Sequence, residues 1–219
     1  MKVKKLFDGV CSVDGKLATI NLTRRKRVYN EELVEFEGKE YRLWNPYRSK
    51  LAAAILNGLK NMHIKNDSAV LYIGAATGTT ASHVSDIVGE NGRVYAVEFS
   101  ERNMRNLLNV CETRKNMLPI LSDARDVDNY IEMVETCDFI YQDVSTKDQA
   151  KILLKNSRFL KQNGYAYFVI KSQSIDISKK PKDVFEEELR ILENHFSVVE
   201  KLSLEPYDSM HLFTVLKKL

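Results

Sequence analysis

Four charged residues, Glu98, Asp123, Asp143 and Lys171, each end or closely follow a short apolar run of the sequence. An apolar run without polar alternation is typical of a buried parallel strand. Because the carboxyl ends of parallel strands meet at one edge of a sheet, where ligands bind, we expect these side chains to share a site. Any one acidic residue could instead cap a helix, but this explanation is weaker for three successive strand ends.

A glycine-containing loop lies at the centre of the stretch Ala69–Ser100. The predicted strand Ala69–Ile73 leads directly into Gly74–Gly78, whose small residues allow a tight turn and a close approach of a ligand to the main chain. A helix and the strand Val94–Val97 then lead to Glu98, whose carboxylate would reach the hydroxyls of a ribose. The stretch therefore predicts a unit that binds an adenosine.

The loop lacks the third glycine of a dinucleotide fingerprint and the lysine of a Walker loop. It resembles instead the first motif of S-adenosylmethionine-dependent methyltransferases. Two alternatives stay open on these residues alone: a nicotinamide or flavin enzyme, and an α/β domain without a cofactor.

The composition of the chain limits the classes of protein to which it can belong. The 219 residues are 44% apolar and 29% charged, which suits a globular protein with one full core and a small appended domain. No stretch is long enough to span a membrane and no signal peptide is visible, so we expect a protein inside a cell. A net charge of +3 permits a nucleic-acid partner without requiring one. Three scattered cysteines favour neither disulfides nor a metal cluster.

Residues 1–46 are predicted to form a small N-terminal β domain. Asp14-Gly15 separates two short runs of strand-forming residues, and Glu37-Gly38 marks a second turn, as expected for two hairpins. The basic run Arg24–Arg27 lies between them and could contact phosphate or form a solvated loop.

Residues 47–219 are predicted to form a Rossmann-like methyltransferase domain. Apolar residues from Leu51 to Met62 recur at helical spacing, with Lys50 in the first turn, where a cation opposes the helix dipole. Strands and helices then alternate, and Ser197–Leu204 and His211–Leu216 close the chain as an antiparallel pair. The predicted fold class is α/β, with a Rossmann-like sheet of seven strands.

The location of three residues with ring side chains depends on how the elements pack. We expect His83 on the outer surface of its helix. Trp44 and Tyr47, near the domain junction, could stack on an RNA base or pack between the two domains.

Several segments, taken in order, resemble the fibrillarin family: Tyr72–Thr80, His83–Gly89, Val94–Ser100, Asp123–Arg125, Asp143-Val144, Asp148–Ala150 and Leu204–Tyr207. The resemblance runs from the N-terminal sheet to the C-terminus. There are departures from the family pattern. Thr77 stands where serine is common, Ser145–Lys147 replaces alanine, glutamine and proline, and an arginine-aspartate pair is missing before His211.

The resemblance implies an S-adenosylmethionine-dependent ribose 2′-O-methyltransferase that acts on ribosomal RNA and transfer RNA. The implied setting is a box C/D particle, with a guide RNA, a Nop-family scaffold protein and a kink-turn-binding ribosomal-type protein as partners. The absence of a glycine-arginine-rich extension resembles the archaeal form, for which we expect a cytoplasmic location.

The resemblance also implies site residues. The catalytic group would be Lys50, Asp143, Lys171 and His211. The cofactor would contact Gly74, Ala75, Gly78, Thr79, Thr80, Glu98, Phe99, Asp123, Ala124, Asp143, Val144, Ser145 and Thr146. No metal ligand is expected.

The chemistry explains why a lysine is needed, because a ribose hydroxyl is a poor nucleophile until it loses its proton. Two schemes remain open. In one, Lys50 and Lys171 lower each other's pKa while Asp143 orients one ammonium. In the other, neutral Lys171 is the base and Lys50 holds the phosphate or the 2′-oxygen.

Overall fold

Two β-sheets organise the chain, and a computed structural model describes all residues from 1 to 219. The first sheet is antiparallel and has the strand order β1-β2-β3-β5-β4. Its strands are β1 (Val3–Phe7), β2 (Val10–Val13), β3 (Lys16–Ile20), β4 (Leu33–Phe36) and β5 (Lys39–Leu43).

Both predicted hairpins are present in this sheet. Asp14 and Gly15 have φ angles of 47° and 86°, the left-handed values that a two-residue turn between antiparallel strands requires. Strand β1 was missed by the sequence analysis. It is an edge strand whose lysines, Lys4 and Lys5, are exposed and interrupt the apolar pattern.

The second sheet has the seven strands that were predicted, in the order β11-β12-β10-β9-β6-β7-β8. They are β6 (Ala69–Ile73), β7 (Arg93–Glu98), β8 (Met117–Leu121), β9 (Cys137–Gln142), β10 (Leu160–Lys171), β11 (Phe196–Ser203) and β12 (His211–Lys218). Strands β6 to β10 pair in parallel, while β10–β12 and β11–β12 are antiparallel. The predicted fold class is confirmed.

Six helices accompany the sheets: α1 (Lys50–Leu56), α2 (Thr79–Val88), α3 (Glu101–Thr113), α4 (Gln149–Asn156), α5 (Ser172–Ile175) and α6 (Pro181–Leu192). The helix predicted to reach Met62 ends at Leu56, because Gly58 turns the chain with a φ of 94°. A 3-10 turn covers Val127–Asn129, between β8 and β9. None of the helices combines the length and apolarity needed to cross a membrane.

The central strand β6 separates two apolar cores. Its residues alternate, with Val70 and Tyr72 in one core and Leu71 and Ile73 in the other. The N-terminal sheet contributes to the first core through Val10 and Leu17, and Trp44, directly after β5, joins them. The small sheet therefore packs on one face of the large sheet through a continuous core.

A buried ionic cluster centred on Asp86 of α2 joins the two sheets. The Asp86 carboxylate lies 2.8 Å from Nη1 of Arg42 in β5 and 2.6 Å from Nη1 of Arg114. It also accepts hydrogen bonds from the hydroxyl of Thr19 at 2.7 Å and the N–H of Leu22 at 3.0 Å. The side chains of Asp86, Arg42 and Arg114 are at most 1% exposed. A buried charge is tolerated only when it is paired and hydrogen-bonded in this way.

The expectation that His83 lies on a helix surface is wrong. His83 is fully buried, with Nδ1 2.8 Å from the Thr19 hydroxyl and Nε2 2.8 Å from the Tyr29 hydroxyl. Burial holds the pKa of His83 well below its usual range, and nearby guanidinium groups lower it further. Its ring stacks on Trp44 at 4.5 Å, so Trp44 packs between the sheets and is not available to RNA.

Replacing Asp86 with alanine should destabilise the protein, because two buried guanidinium groups lose their shared carboxylate. We expect a loss of about 3–5 kcal/mol and a fall in Tm of roughly 10 °C, measured by thermal and urea unfolding. Asp128→Ala is the control, since this side chain is 92% exposed and pairs only with Arg158. Equal, small effects of both substitutions would contradict a structural role for the Asp86 cluster.

Candidate active site

A cavity of about 480 Å³ opens at the carboxyl edge of the seven-stranded sheet. Cavities of this size hold small organic ligands. Its walls come from the residues that follow β6, β7, β8 and β9, from the end of β10 and from the start of α1. It is lined by these predicted site residues: Lys50, Gly74, Ala75, Thr79, Thr80, Glu98, Phe99, Asp123, Ala124, Asp143, Val144, Ser145, Thr146 and Lys171. Gly78 and His211 are the predicted residues that do not line it.

The glycine loop after β6 is shaped by its neighbours in the sheet. Gly74 has a φ of 82°, and a Cβ at this position would lie 2.7 Å from the carbonyl oxygen of Asp143. The N–H groups of Gly74 and Ala75 both donate to the carbonyl oxygen of Val97, at 2.9 and 3.0 Å. Only glycine fits such an approach, so the loop lies flat across the ends of β7 and β9.

Gly78 lies outside the cavity lining, at the start of α2. It adopts a φ of 89° immediately before α2, and a Cβ there would lie 3.1 Å from Leu107 of α3. Gly78 therefore allows the two helices to pack closely and faces away from the cavity.

Glu98, at the end of β7, anchors the loop as well as lining the cavity. Its Oε2 accepts the N–H of Ala76 at 2.8 Å, and its Oε1 accepts the N–H of Ser100 at 2.9 Å and the side-chain amide of Asn103 at 3.3 Å. A carboxylate has about four accepting directions, so roughly one remains for a ligand hydroxyl. Asn103 also lines the cavity and was missed by the sequence analysis.

Asp123 and Phe99 both line the cavity. Asp123 accepts one bifurcated hydrogen bond from Nε of Arg125 at 3.0 Å, one from Nη2 at 2.5 Å and one from the Arg125 backbone N–H at 2.9 Å. These bonds hold the pKa of the Asp123 carboxyl below its usual value. The Phe99 ring is 70% exposed, which leaves an aromatic face free. Arg125, which directly follows the predicted Asp123-Ala124 pair, was not predicted to line the cavity.

Asp143 lies between two lysines. Nζ of Lys171 is 2.7 Å from Oδ1 of Asp143, and Nζ of Lys50 is 3.3 Å from Oδ2. Lys171 also donates to the hydroxyl of Ser145 at 3.0 Å and to the carbonyl oxygen of Asp143 at 3.2 Å. Lys50 is the first residue of α1, which Ser49 caps. Residues from three distant parts of the sequence thus meet at one carboxylate.

The protonation states of this group follow from burial and ion pairing. Burial alone would raise the pKa of Asp143, but the ammonium groups of Lys50 and Lys171 hold it below its usual value. Burial alone would lower the pKa of Lys50, but Asp143 and Asp208 raise it above its usual value. The scheme in which the two lysines depress each other's pKa is therefore wrong for Lys50, which stays protonated.

His211 joins this group indirectly. Its Nδ1 lies 2.6 Å from Oδ1 of Asp208, and Oδ2 of Asp208 lies 3.5 Å from Nζ of Lys50. His211 is also the direct cross-strand partner of Lys171. Asp208 was not among the predicted site residues, although its position three residues before His211 is a signal that points to it.

Thr80 and Thr146 contribute hydroxyls with different surroundings. The Thr80 hydroxyl donates to the Ser49 hydroxyl at 3.0 Å and so ties α2 to the start of α1. Thr146 lines the cavity, and its hydroxyl is buried without a hydrogen-bond partner. An unpartnered buried hydroxyl costs free energy unless a ligand bonds it. Together with the loop and Glu98, it fits a ligand such as S-adenosylmethionine.

Comparison with known proteins places the whole chain in one family. A sequence profile described as Fibrillarin matches residues 1–218. A protein of Thermococcus gammatolerans named fibrillarin-like rRNA/tRNA 2′-O-methyltransferase is 53% identical over 225 residues, covering 100% of both chains.

Solved structures agree. Fibrillarin of Aeropyrum pernix, in complex with natively bound S-adenosyl-L-methionine, is 42% identical and has a TM-score of 0.92, covering 99% of this chain and 98% of that one. A chain of a fibrillarin/Nop5p complex is 39% identical and has a TM-score of 0.89, covering 99% and 100%. On both sequence and structure, the chain belongs to the fibrillarin family.

Proposed function

We propose that this chain transfers the methyl group of S-adenosylmethionine to ribose 2′-hydroxyls of ribosomal and transfer RNA within a guide-RNA particle. The observation that carries the proposal is the Asp143 carboxylate between Lys50 and Lys171, in the same cavity as Glu98 and the glycine loop. The names of the relatives support the reaction, and the bound ligand of the Aeropyrum pernix protein supports the cofactor.

One group of cavity residues would bind the cofactor. The residues expected to hold S-adenosylmethionine are Gly74, Ala75, Thr79, Thr80, Glu98, Phe99, Asp123, Ala124, Asp143, Val144, Ser145 and Thr146. When bound, this cofactor supplies a methyl group on a sulfonium centre, which an oxygen nucleophile displaces in line. Since the displacement needs nucleophile, methyl and sulfur in one line, positioning by the protein supplies much of the rate.

The lysines would then act on the RNA. Lys50 carries a positive charge because two carboxylates raise its pKa, so it can hold an RNA phosphate or the 2′-oxygen but cannot accept a proton. Lys171, held by Asp143 and Ser145, would orient the 2′-hydroxyl. This arrangement fits the role that the second scheme gives to Lys50.

The proposed partners are a Nop-family scaffold protein, a guide RNA and a kink-turn-binding protein. The fibrillarin/Nop5p complex supports a Nop-family scaffold. A guide RNA and a kink-turn-binding protein are part of the proposal because the net charge of +3 supplies little affinity for RNA. The basic run Arg24–Arg27 agrees with a low RNA affinity of the isolated chain, since Arg24 forms an exposed ion pair with Glu35. A cytoplasmic location and the division of the chain at residue 46 stay predictions.

Glu98→Ala should weaken the binding of S-adenosylhomocysteine by about 1–3 kcal/mol, because a ligand hydroxyl loses a charged acceptor and the loop loses its anchor. Calorimetry measures the affinity. Glu112→Ala, an exposed position on α3, is the control and should bind normally. An unchanged affinity in Glu98→Ala would remove this residue from the cofactor site.

Lys171→Ala should lower the single-turnover rate of guided methylation by roughly 100-fold or more, because the 2′-hydroxyl loses the side chain that orients it. Affinity for S-adenosylhomocysteine and assembly of the particle should hardly change, because the contribution arises mainly in the transition state. Lys201→Ala, exposed on β11, serves as the control. A fall of less than about threefold, or a loss that disappears at saturating cofactor, would contradict a role in the chemistry.

The isolated chain should methylate RNA poorly and gain activity and site choice when guide RNA and partner proteins are supplied. The reason is the small net charge, which limits the counterion release that drives RNA binding. Methyl incorporation from labelled S-adenosylmethionine, with each partner omitted in turn, measures the effect. Robust, sequence-specific methylation by the chain alone would overturn the guided reaction.

A further inference from the structure

Asp208 is a shared carboxylate outside the cavity lining. One oxygen lies 2.6 Å from Nδ1 of His211 and the other lies 3.5 Å from Nζ of Lys50. Lys50 in turn contacts Asp143 at 3.3 Å. Asp208 therefore connects His211 to the lysine-carboxylate group through a single side chain.

The position of Asp208 is fixed by the backbone on both sides. Its N–H donates to the carbonyl oxygen of Leu204 at 3.0 Å. Two residues later, the carbonyl oxygen of Met210 accepts the hydroxyl of Ser172 at 2.9 Å and the N–H of Ser172 at 3.3 Å. The turn that places Asp208 against His211 is thus held to α5, immediately after Lys171.

The contact determines which nitrogen of His211 carries a proton. A carboxylate can only accept a hydrogen bond, so Nδ1 of His211 must donate. The charged groups that face the ring are Asp208 from the preceding turn, Lys50 from α1 and Lys171 from β10. Burial lowers the pKa of His211, Asp208 opposes this shift and the two lysines add to it, so the ring is neutral near pH 7. Its one hydrogen bond within the chain is the bond from Nδ1, which leaves Nε2 as an open acceptor.

We propose that Asp208 is a positioning residue for the methyl transfer: it fixes the Nδ1-protonated tautomer of His211 and holds Lys50 against Asp143. This inference rests on the proposed function and deepens it. As the 2′-oxygen bonds to the methyl carbon, the methyl–sulfur bond breaks with its electrons staying on sulfur, and the hydroxyl proton passes to Nε2. The resulting imidazolium is stabilised by Asp208 and later releases the proton to solvent.

Nitrogen-detected NMR of the four histidines tests the tautomer without any RNA. His211 of the wild-type chain should be neutral at pH 7 with its proton on Nδ1. Asp208→Asn should lose this preference, because an amide can either accept from or donate to the ring. Glu205→Gln, an exposed carboxyl of the same turn, is the matched control and should keep the wild-type pattern. An Nε2-protonated ring in the wild-type chain would overturn the proposal.

The pH dependence of guided single-turnover methylation tests the role in the reaction. The wild-type rate should rise as pH increases through the pKa of His211, since the neutral ring accepts the proton. Asp208→Asn should be roughly 100-fold slower. Its rising limb should shift to lower pH, because removing the carboxylate lowers the pKa of His211. Affinity for S-adenosylhomocysteine and the unfolding transition should match those of Glu205→Gln.

A double substitution separates an action through His211 from a general loss of structure. If Asp208 acts through His211, Asp208→Asn should lose most of its effect on the rate when His211 is already alanine. Full additivity, or a wild-type pH profile in Asp208→Asn, would overturn the proposal. The absence of any guided methylation by the wild-type chain would instead overturn the proposed function, which the same assay reports separately.

Discussion

The buried carboxylate of Asp86 is the contact on which the arrangement of the two sheets depends. It neutralises Arg42 of the small sheet and Arg114 after α3, and none of these side chains is more than 1% exposed. Because an unpaired charge at this depth costs several kcal/mol, the two sheets are confined to the orientation that satisfies all three groups. The chain leaving the small sheet through Trp44 is thereby directed to Lys50, the residue that must reach Asp143.

A second ionic system operates at the cavity. It alternates in charge from Lys171 to Asp143, Lys50 and Asp208, and it ends at the neutral ring of His211. Each carboxylate serves two basic groups, so no single element can move without breaking a contact made by another. The arrangement keeps Lys50 protonated and aligned before the substrate arrives, which is the preorganisation that positioning catalysis requires.

Much of the fold could be predicted because its signals are local. A two-residue turn such as Asp14-Gly15, or an unbroken apolar strand such as Ala69–Ile73, is specified by residues that adjoin in the sequence. The carboxyl-edge rule then placed Glu98, Asp123, Asp143 and Lys171 at one cavity, as the structure shows. The edge strand β1 and the early end of α1 were missed because they depend on pairing and on one glycine conformation.

The order of strands and helices, the glycine loop and the residues at the strand ends all follow from local sequence patterns. Which residues cover each surface depends on how distant segments pack. Periodicity indicates one buried face of α2, but the small sheet covers the opposite face as well, so His83 and Asp86 are buried. Likewise, no spacing rule predicts that Asp208 contacts both Lys50 and His211, because that carboxylate joins α1 to β12 across a gap of more than 150 residues. Contacts between distant segments arise from packing, which local patterns do not contain.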